Sequence, residues 1–149
     1  MYDHIRFHTD EDYPADLPPE NAATHIGMYW QWAAAQGLAN PVWAQAEESA
    51  ADFAAMCAGQ LSGAQFLLRH MDGALMPDDF TEQGQRFTAF YYDDEEEGYG
   101  AFMEDYITAL DTPALGGLYH AADTPENAAL LAPVFQAAYE RWLASLNNR

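Results

Sequence analysis

Five histidines, one cysteine and a surplus of carboxylates are the side chains of this 149-residue chain that could do chemistry. His4 and His8 stand four apart while His25, His70 and His120 are scattered, so a metal centre would have to be assembled by folding. There is no His-Glu-x-x-His run, and a single cysteine excludes the usual structural zinc patterns. Asp12 can join His8 and His25 as ligand or orienter, which makes these three a candidate for a metal-binding enzyme or sensor. The plainer reading of the same histidines is that they are buried and hydrogen-bonded.

Other catalytic signals are weak. Cys57 has no histidine signature beside it and lies in an alanine-rich helical pattern, where a small buried thiol is expected. No Gly-x-Ser-x-Gly is present, and Gly98-Tyr99-Gly100-Ala101 lacks the lysine of a Walker motif. Carboxylates are too abundant for any pair of them to point to glycosidase chemistry. The expectation is a protein that is not an enzyme, with no catalytic residues, resident metal or cofactor.

The acids point more directly to a partner. Asp93, Asp94, Glu95, Glu96 and Glu97 form an unbroken run between Phe87-Thr88-Ala89-Phe90-Tyr91-Tyr92 and a second aromatic piece ending at Tyr106. Continuing a helix through them would set Asp93 and Glu97 against each other at i,i+4, at a cost of a few tenths of a kcal/mol. It would also collect carboxylates at the negative helix end, costing roughly 0.3–1 kcal/mol each before screening. A loop ending at Gly98 avoids both costs. The run lacks the alternating ligands of a calcium loop. Flanked by Tyr91, Tyr92 and Tyr99, and followed by Glu104 and Asp105, it suits docking of an Arg- or Lys-rich protein.

The whole composition agrees with that choice of partner. There are 24 acidic residues against 5 basic ones, all of them arginine, for a formal net charge of −19. Such a field disfavours nucleic acid and anionic membranes and favours basic proteins and cations. A surface that only keeps a housekeeping module soluble is the competing explanation.

These residues must be positioned by a mostly helical single domain, 1–149. Half of the residues are hydrophobic and 14% aromatic, so a core can form despite the charge. Residues 1–18 read as an irregular or short-strand arm, with Tyr2, His4, Arg6 and His8 alternating with Asp3, Ile5 and Phe7. A first helix is expected from about Glu20 to Gln36, apolar nearly all round and therefore central, and a second from about Val42 to Ala58. Ser62 and Gln65 form a capping-box pattern for a helix to about Met71. Further helices are expected from Asp79 or Thr81 to Tyr92 and from Gly100 to Leu110. Thr124-Pro125-Glu126 opens the last, whose buried stripe is Leu131, Val134, Phe135, Ala138, Trp142 and Leu146. The expected fold is an all-α bundle of about five to six helices. No apolar run suggests a membrane span or a secretory leader, so the expected location is cytoplasmic.

Three stretches in order carry a resemblance. They are Asp16-Leu-Pro-Pro-Glu-Asn-Ala-Ala-Thr-His-Ile-Gly-Met with Trp32, then Glu82-Gln-Gly-Gln-Arg-Phe with Tyr91-Tyr92 and Asp105-Tyr106, then Leu118-Tyr119-His120 with Asp123-Thr-Pro-Glu-Asn. Together they resemble a family of small, largely uncharacterised acidic bacterial proteins. In size and acidity its members are similar to immunity proteins that neutralise polymorphic toxins. The resemblance implies an immunity-type inhibitor of a basic toxin domain. It also marks His8, His25, Tyr91, Asp105, Tyr106, Tyr119 and His120 as site or core positions, so that Tyr106, Tyr119 and His120 join His8, Asp12 and His25 in a candidate pocket. The chain departs from the family pattern between Tyr92 and Tyr99, where a shorter connection is expected; variable loops are where partner specificity resides.

Overall fold

The computed structural model describes residues 1–93 and 100–147. Its elements are β1 (Asp3–His4), α1 (Thr24–Ala35), α2 (Val42–Gln45), α3 (Ala50–Cys57), α4 (Gly63–His70), β2 (Ala74–Leu75), α5 (Glu82–Tyr91), α6 (Phe102–Leu110), α7 (Thr112–Leu115) and α8 (Pro125–Asn147). Short 3-10 turns cover Ile5–Phe7, Pro19–Ala23, Pro77–Asp79 and Leu118–His120. The mostly helical expectation holds, and the described helices number eight because the one expected over Val42–Ala58 divides into α2 and α3 and because α7 is a single turn in a stretch whose proline and glycines break the helical pattern.

Helix α1 is the centre. Ten of its twelve residues are buried, which is what an apolar surface on every side requires. Helix α4 crosses it on one side through Ala64, Phe66 and Leu67, while α8 packs on the other together with α5 and α6. Between α1, α5, α6 and α8 the rings of Tyr29, Tyr91, Phe102 and Phe135 meet at centroid distances of 5.6–6.3 Å. Such offset and edge contacts add about 0.5–1.5 kcal/mol per pair to the burial of the rings. The hydroxyl of Tyr29 is satisfied inside this core by Thr88 Oγ1 at 2.8 Å.

Local chemistry sets several boundaries. Ser62 Oγ accepts from Gln65 N at 3.1 Å, and Gln65 Oε1 accepts from Ser62 N, so the expected capping box opens α4. Thr81 Oγ1 caps α5 through Gly84 N, and Thr124 Oγ1 caps α8 through Asn127 N. Helix α8 buries Leu131, Phe135, Ala138, Tyr139 and Trp142; Tyr139 joins the stripe, whereas Leu146 is exposed and Val134 only half-buried.

The helix expected over Val42–Ala58 is broken. Ala46 is extended, and Ser49 Oγ donates to Trp43 O at 2.8 Å across the break. On one straight helix Trp43 and Phe53 would lie about 15 Å apart along the axis. The break lets both rings reach Phe66, with centroids at 5.5 and 5.9 Å. It also places Met56, not Cys57, in the core: Cys57 is exposed. The burial expected for that thiol is therefore corrected.

The arm is docked. β1 pairs antiparallel with β2, Asp3 opposite Leu75 and His4 opposite Ala74. Tyr2 N and Ile5 N extend the ladder to Leu75 O and Gly73 O at 2.7 and 3.0 Å. Among the described residues no helix is long and apolar enough to cross a membrane.

Candidate metal centre

Four segments converge beside the first turn of α1. β1 supplies Asp3. The 3-10 turn that follows it bends the chain back, with His8 N donating to Ile5 O at 3.0 Å, so that His8 returns to face Asp3. Helix α1 supplies His25, and the turn Leu118–His120 brings Tyr119. The rings of His8 and His25 meet edge to face at 4.5 Å, and Tyr119 lies against both at 5.7 and 6.1 Å.

At the middle is the Asp3 carboxylate. Its Oδ1 accepts from His8 Nε2 at 2.7 Å and from the His4 backbone N at 2.8 Å. Its Oδ2 accepts from the Tyr92 hydroxyl at 2.5 Å and lies 3.4 Å from His25 Nε2. Since a carboxylate only accepts, His8 Nε2 carries a proton in this arrangement, and in the neutral ring Nδ1 then accepts from the Tyr119 hydroxyl at 2.7 Å. Burial, aided by nearby acids, pushes the Tyr119 phenol up to about 12, so that hydroxyl keeps its proton to donate.

His25 is fully enclosed, and neither ring nitrogen has a hydrogen-bond partner among the described residues. Its contact with Asp3 is close enough for attraction but lacks hydrogen-bond alignment. Burial lowers the His25 pKa and keeps the ring neutral, Asp3 offsetting only part of the effect. For Asp3, burial acts to raise the pKa, but the interactions with His25 and His8 outweigh it and hold the carboxyl well below the usual range. A neutral imidazole and an ionised carboxylate are the protonation states a divalent cation requires.

One ligand atom from each of Asp3, His8 and His25 lies within 4.8 Å of the others, the only such trio among the described residues. Two imidazoles and a carboxylate suit Zn²⁺ or Fe²⁺, and three protein ligands leave open positions. The outer contacts fit as well. His4 N and Tyr92 OH orient the carboxylate, and if His8 gives Nε2 to a metal its proton can sit on Nδ1 and donate to Tyr119.

Asp3 and His8 also form part of the wall of a cavity of about 750 Å³, completed by Tyr2, Phe7, Tyr92, Phe102, Met103, Glu104, Ile107 and Thr108. Tyr92 stacks on Phe102 at 4.3 Å, so one residue both closes this wall and holds the carboxylate.

The expected pocket is thus brought together in part. His8, His25 and Tyr119 adjoin one another, and Tyr106 reaches the group through His25, its ring lying 6.1 Å away. Asp12 does not join them: it is exposed, in a turn where its N donates to Asp10 Oδ1. Asp3 takes its place, a residue the spacing did not single out, because only the return of the chain after β1 turns it toward His8. His120 faces Asp16 at 3.6 Å instead, and His70 pairs with Asp52 at 2.8 Å elsewhere on the surface.

Of the expected docking residues, Tyr91 is buried and its hydroxyl donates to Asp105 at 2.6 Å, so it anchors α5 rather than facing outward. Tyr92 points to Asp3, and Glu104 is exposed on α6. Asp93 is half-buried, while Asp94, Glu95, Glu96, Glu97 and Tyr99 lie outside the described residues.

Residues 1–121 match the model of one protein family, described as a domain of unknown function, DUF7832. That span contains Asp3, His8, His25, Tyr92 and Tyr119 and ends before α8. No curated protein and no solved structure matches the chain.

Proposed function

We propose that this chain, which belongs to the DUF7832 family, is a metal-binding protein that holds one divalent first-row transition ion on Asp3, His8 and His25. The observation that carries this reading is the fully buried imidazole of His25, which has no hydrogen-bond partner among the described residues and stands 3.4 Å from an ionised carboxylate. Leaving a buried polar group unsatisfied costs about 1–3 kcal/mol. Metal ligation recovers that cost and exchanges the His8–Asp3 hydrogen bond for two metal bonds. Three protein ligands, two of them (Asp3 and His8) in the wall of a cavity, suit a catalytic or sensing site better than a closed structural one. Elemental analysis of protein purified without chelator, followed by Zn²⁺ titration, should give one equivalent per chain, and His25→Ala should abolish uptake. Substoichiometric binding at micromolar Zn²⁺ overturns the assignment.

The net charge of −19 supports a second reading, an immunity-type inhibitor that covers a basic toxin domain. Exposed Glu104 and the Asp93–Glu97 run are the first contacts to test. Affinity for a basic nuclease toxin domain should fall with added salt and with replacement of the run by Ser and Asn. Unchanged affinity in both experiments rules out docking through it.

A further inference from the structure

We infer that the cavity beside Asp3 and His8 takes a small organic monocarboxylate with an aromatic or branched apolar body, its carboxylate on the metal and its body against Phe7, Phe102, Met103 and Ile107. This rests on the metal reading above. A cavity of about 750 Å³ falls within the roughly 300–1,000 Å³ that small-molecule sites occupy. Asp3 and His8 are the metal-ligating groups of the wall, the stacked Tyr92–Phe102 pair and the side chains of Phe7, Met103 and Ile107 offer carbon surface, and Glu104 and Thr108 of α6 stand beside that surface. An occupant suited to this wall has one ligating group and a mostly apolar body.

The sign of the head group follows from the ligands. A divalent ion with one carboxylate and two neutral imidazoles leaves a local charge of +1, which one oxygen anion neutralises. A protonated amine has no lone pair for the ion and is repelled by that positive charge, although the Glu104 carboxylate of α6 also stands in the wall. The acidic exterior does not reverse this. Charges beyond about 8 Å are largely screened at physiological salt, and Glu104 at the cavity is itself exposed to solvent. Phe7 is 60% exposed although it lines the cavity, so carbon surface there is accessible to an entering molecule.

The probe is 4-phenylbutyrate, compared with acetate, titrated calorimetrically into Zn²⁺-loaded protein and into metal-free protein. The loaded protein should bind 4-phenylbutyrate at least about tenfold more tightly than acetate, and the metal-free protein should bind neither. Ile107→Glu should weaken binding of 4-phenylbutyrate about tenfold with Zn²⁺ uptake still stoichiometric; Phe7→Ser, at an exposed position, does the same without risk to folding. If Zn²⁺ is taken up but the two acids bind alike, or both variants bind as wild type, the ligand assignment is wrong and the metal reading stands. Equal binding to metal-free protein overturns the role of the head group. Failure of Zn²⁺ uptake overturns both proposals.

Discussion

Gly27 and Gly63 touch where α1 crosses α4: a Cβ built on Gly63 would lie 1.9 Å from the carbonyl oxygen of Gly27, and one on Gly27 would lie 2.1 Å from Ala64 N. Backbone meets backbone there, so no flexible side chain can yield. The crossing brings Phe66 and Leu67 onto α1 and fixes the helix that carries His25. Gly27→Ala or Gly63→Ala should each cost about 1–3 kcal/mol, as overpacking does, and lower the urea midpoint with little change in slope. A variant as stable as wild type would show that the helices are not held this closely.

The buried His25 should be a burden without metal. His25→Leu removes an unpartnered polar group and keeps apolar contact with Phe102 and Tyr106. The metal-free variant should be at least as stable as the wild type, by up to about 1 kcal/mol. It should also lose the Zn²⁺-dependent rise in Tm, which for wild type corresponds to about 2.7 kcal/mol at a hundred times Kd. Clear destabilisation of the metal-free variant would mark His25 as a packing residue.

Outer contacts should tune the ion. Tyr92→Phe keeps the stack on Phe102 but removes the donor to Asp3 Oδ2, and Tyr119→Phe removes the partner of His8 Nδ1. Each should weaken Zn²⁺ binding about 10–100-fold with an unchanged far-UV spectrum. Equal affinity in both variants would separate these hydroxyls from the site.

Acid should destabilise the metal-free protein in two stages. The lowered pKa of His25 means the unfolded chain takes up a proton that the folded chain refuses, so this contribution is full above about pH 6.5 and is lost as pH falls through the folded value. The depressed Asp3 acts likewise from about pH 3.9 downward. In urea titrations between pH 8 and 5 the wild type should lose stability toward acid relative to His25→Leu, and an unchanged difference across that range would remove the His25 contribution.

Asp79 opposes this trend. Burial raises its carboxyl to about 6 despite the hydrogen bond that Oδ2 accepts from Met76 N at 2.7 Å. Its contribution is full below about pH 3.9 and is lost as pH rises through about 6, so the ionised form is a cost at neutral pH. Asp79→Asn keeps an acceptor for Met76 N and should stabilise the protein by about 1 kcal/mol at pH 7.5, with no gain at pH 4. A loss at pH 7.5 would contradict the assignment.

Local signals in the sequence reached the helix ends and the central helix. The Ser62–Gln65 box, the Thr124 cap and the apolar circumference of α1 act over one or two turns, where periodicity and capping chemistry are decisive. The break at Ala46 escaped this reading because its cause, the joint approach of Trp43 and Phe53 to Phe66, is a contact with another helix. By itself the sequence determined the charge, the helical class and the place of α1 at the centre, and it named His8 and His25 among the candidates for a site. Tertiary structure decided that the third partner is Asp3 and not Asp12, that Tyr92 turns inward to that carboxylate, and that Cys57 is exposed. The physical reason is that each direction is set by a contact far along the chain: for Asp3 the two-residue β1 pairing and the tight turn after it, for Tyr92 its docking at the end of α5 onto Asp3 and Phe102, for Cys57 the break at Ala46; none of these leaves a periodicity to read.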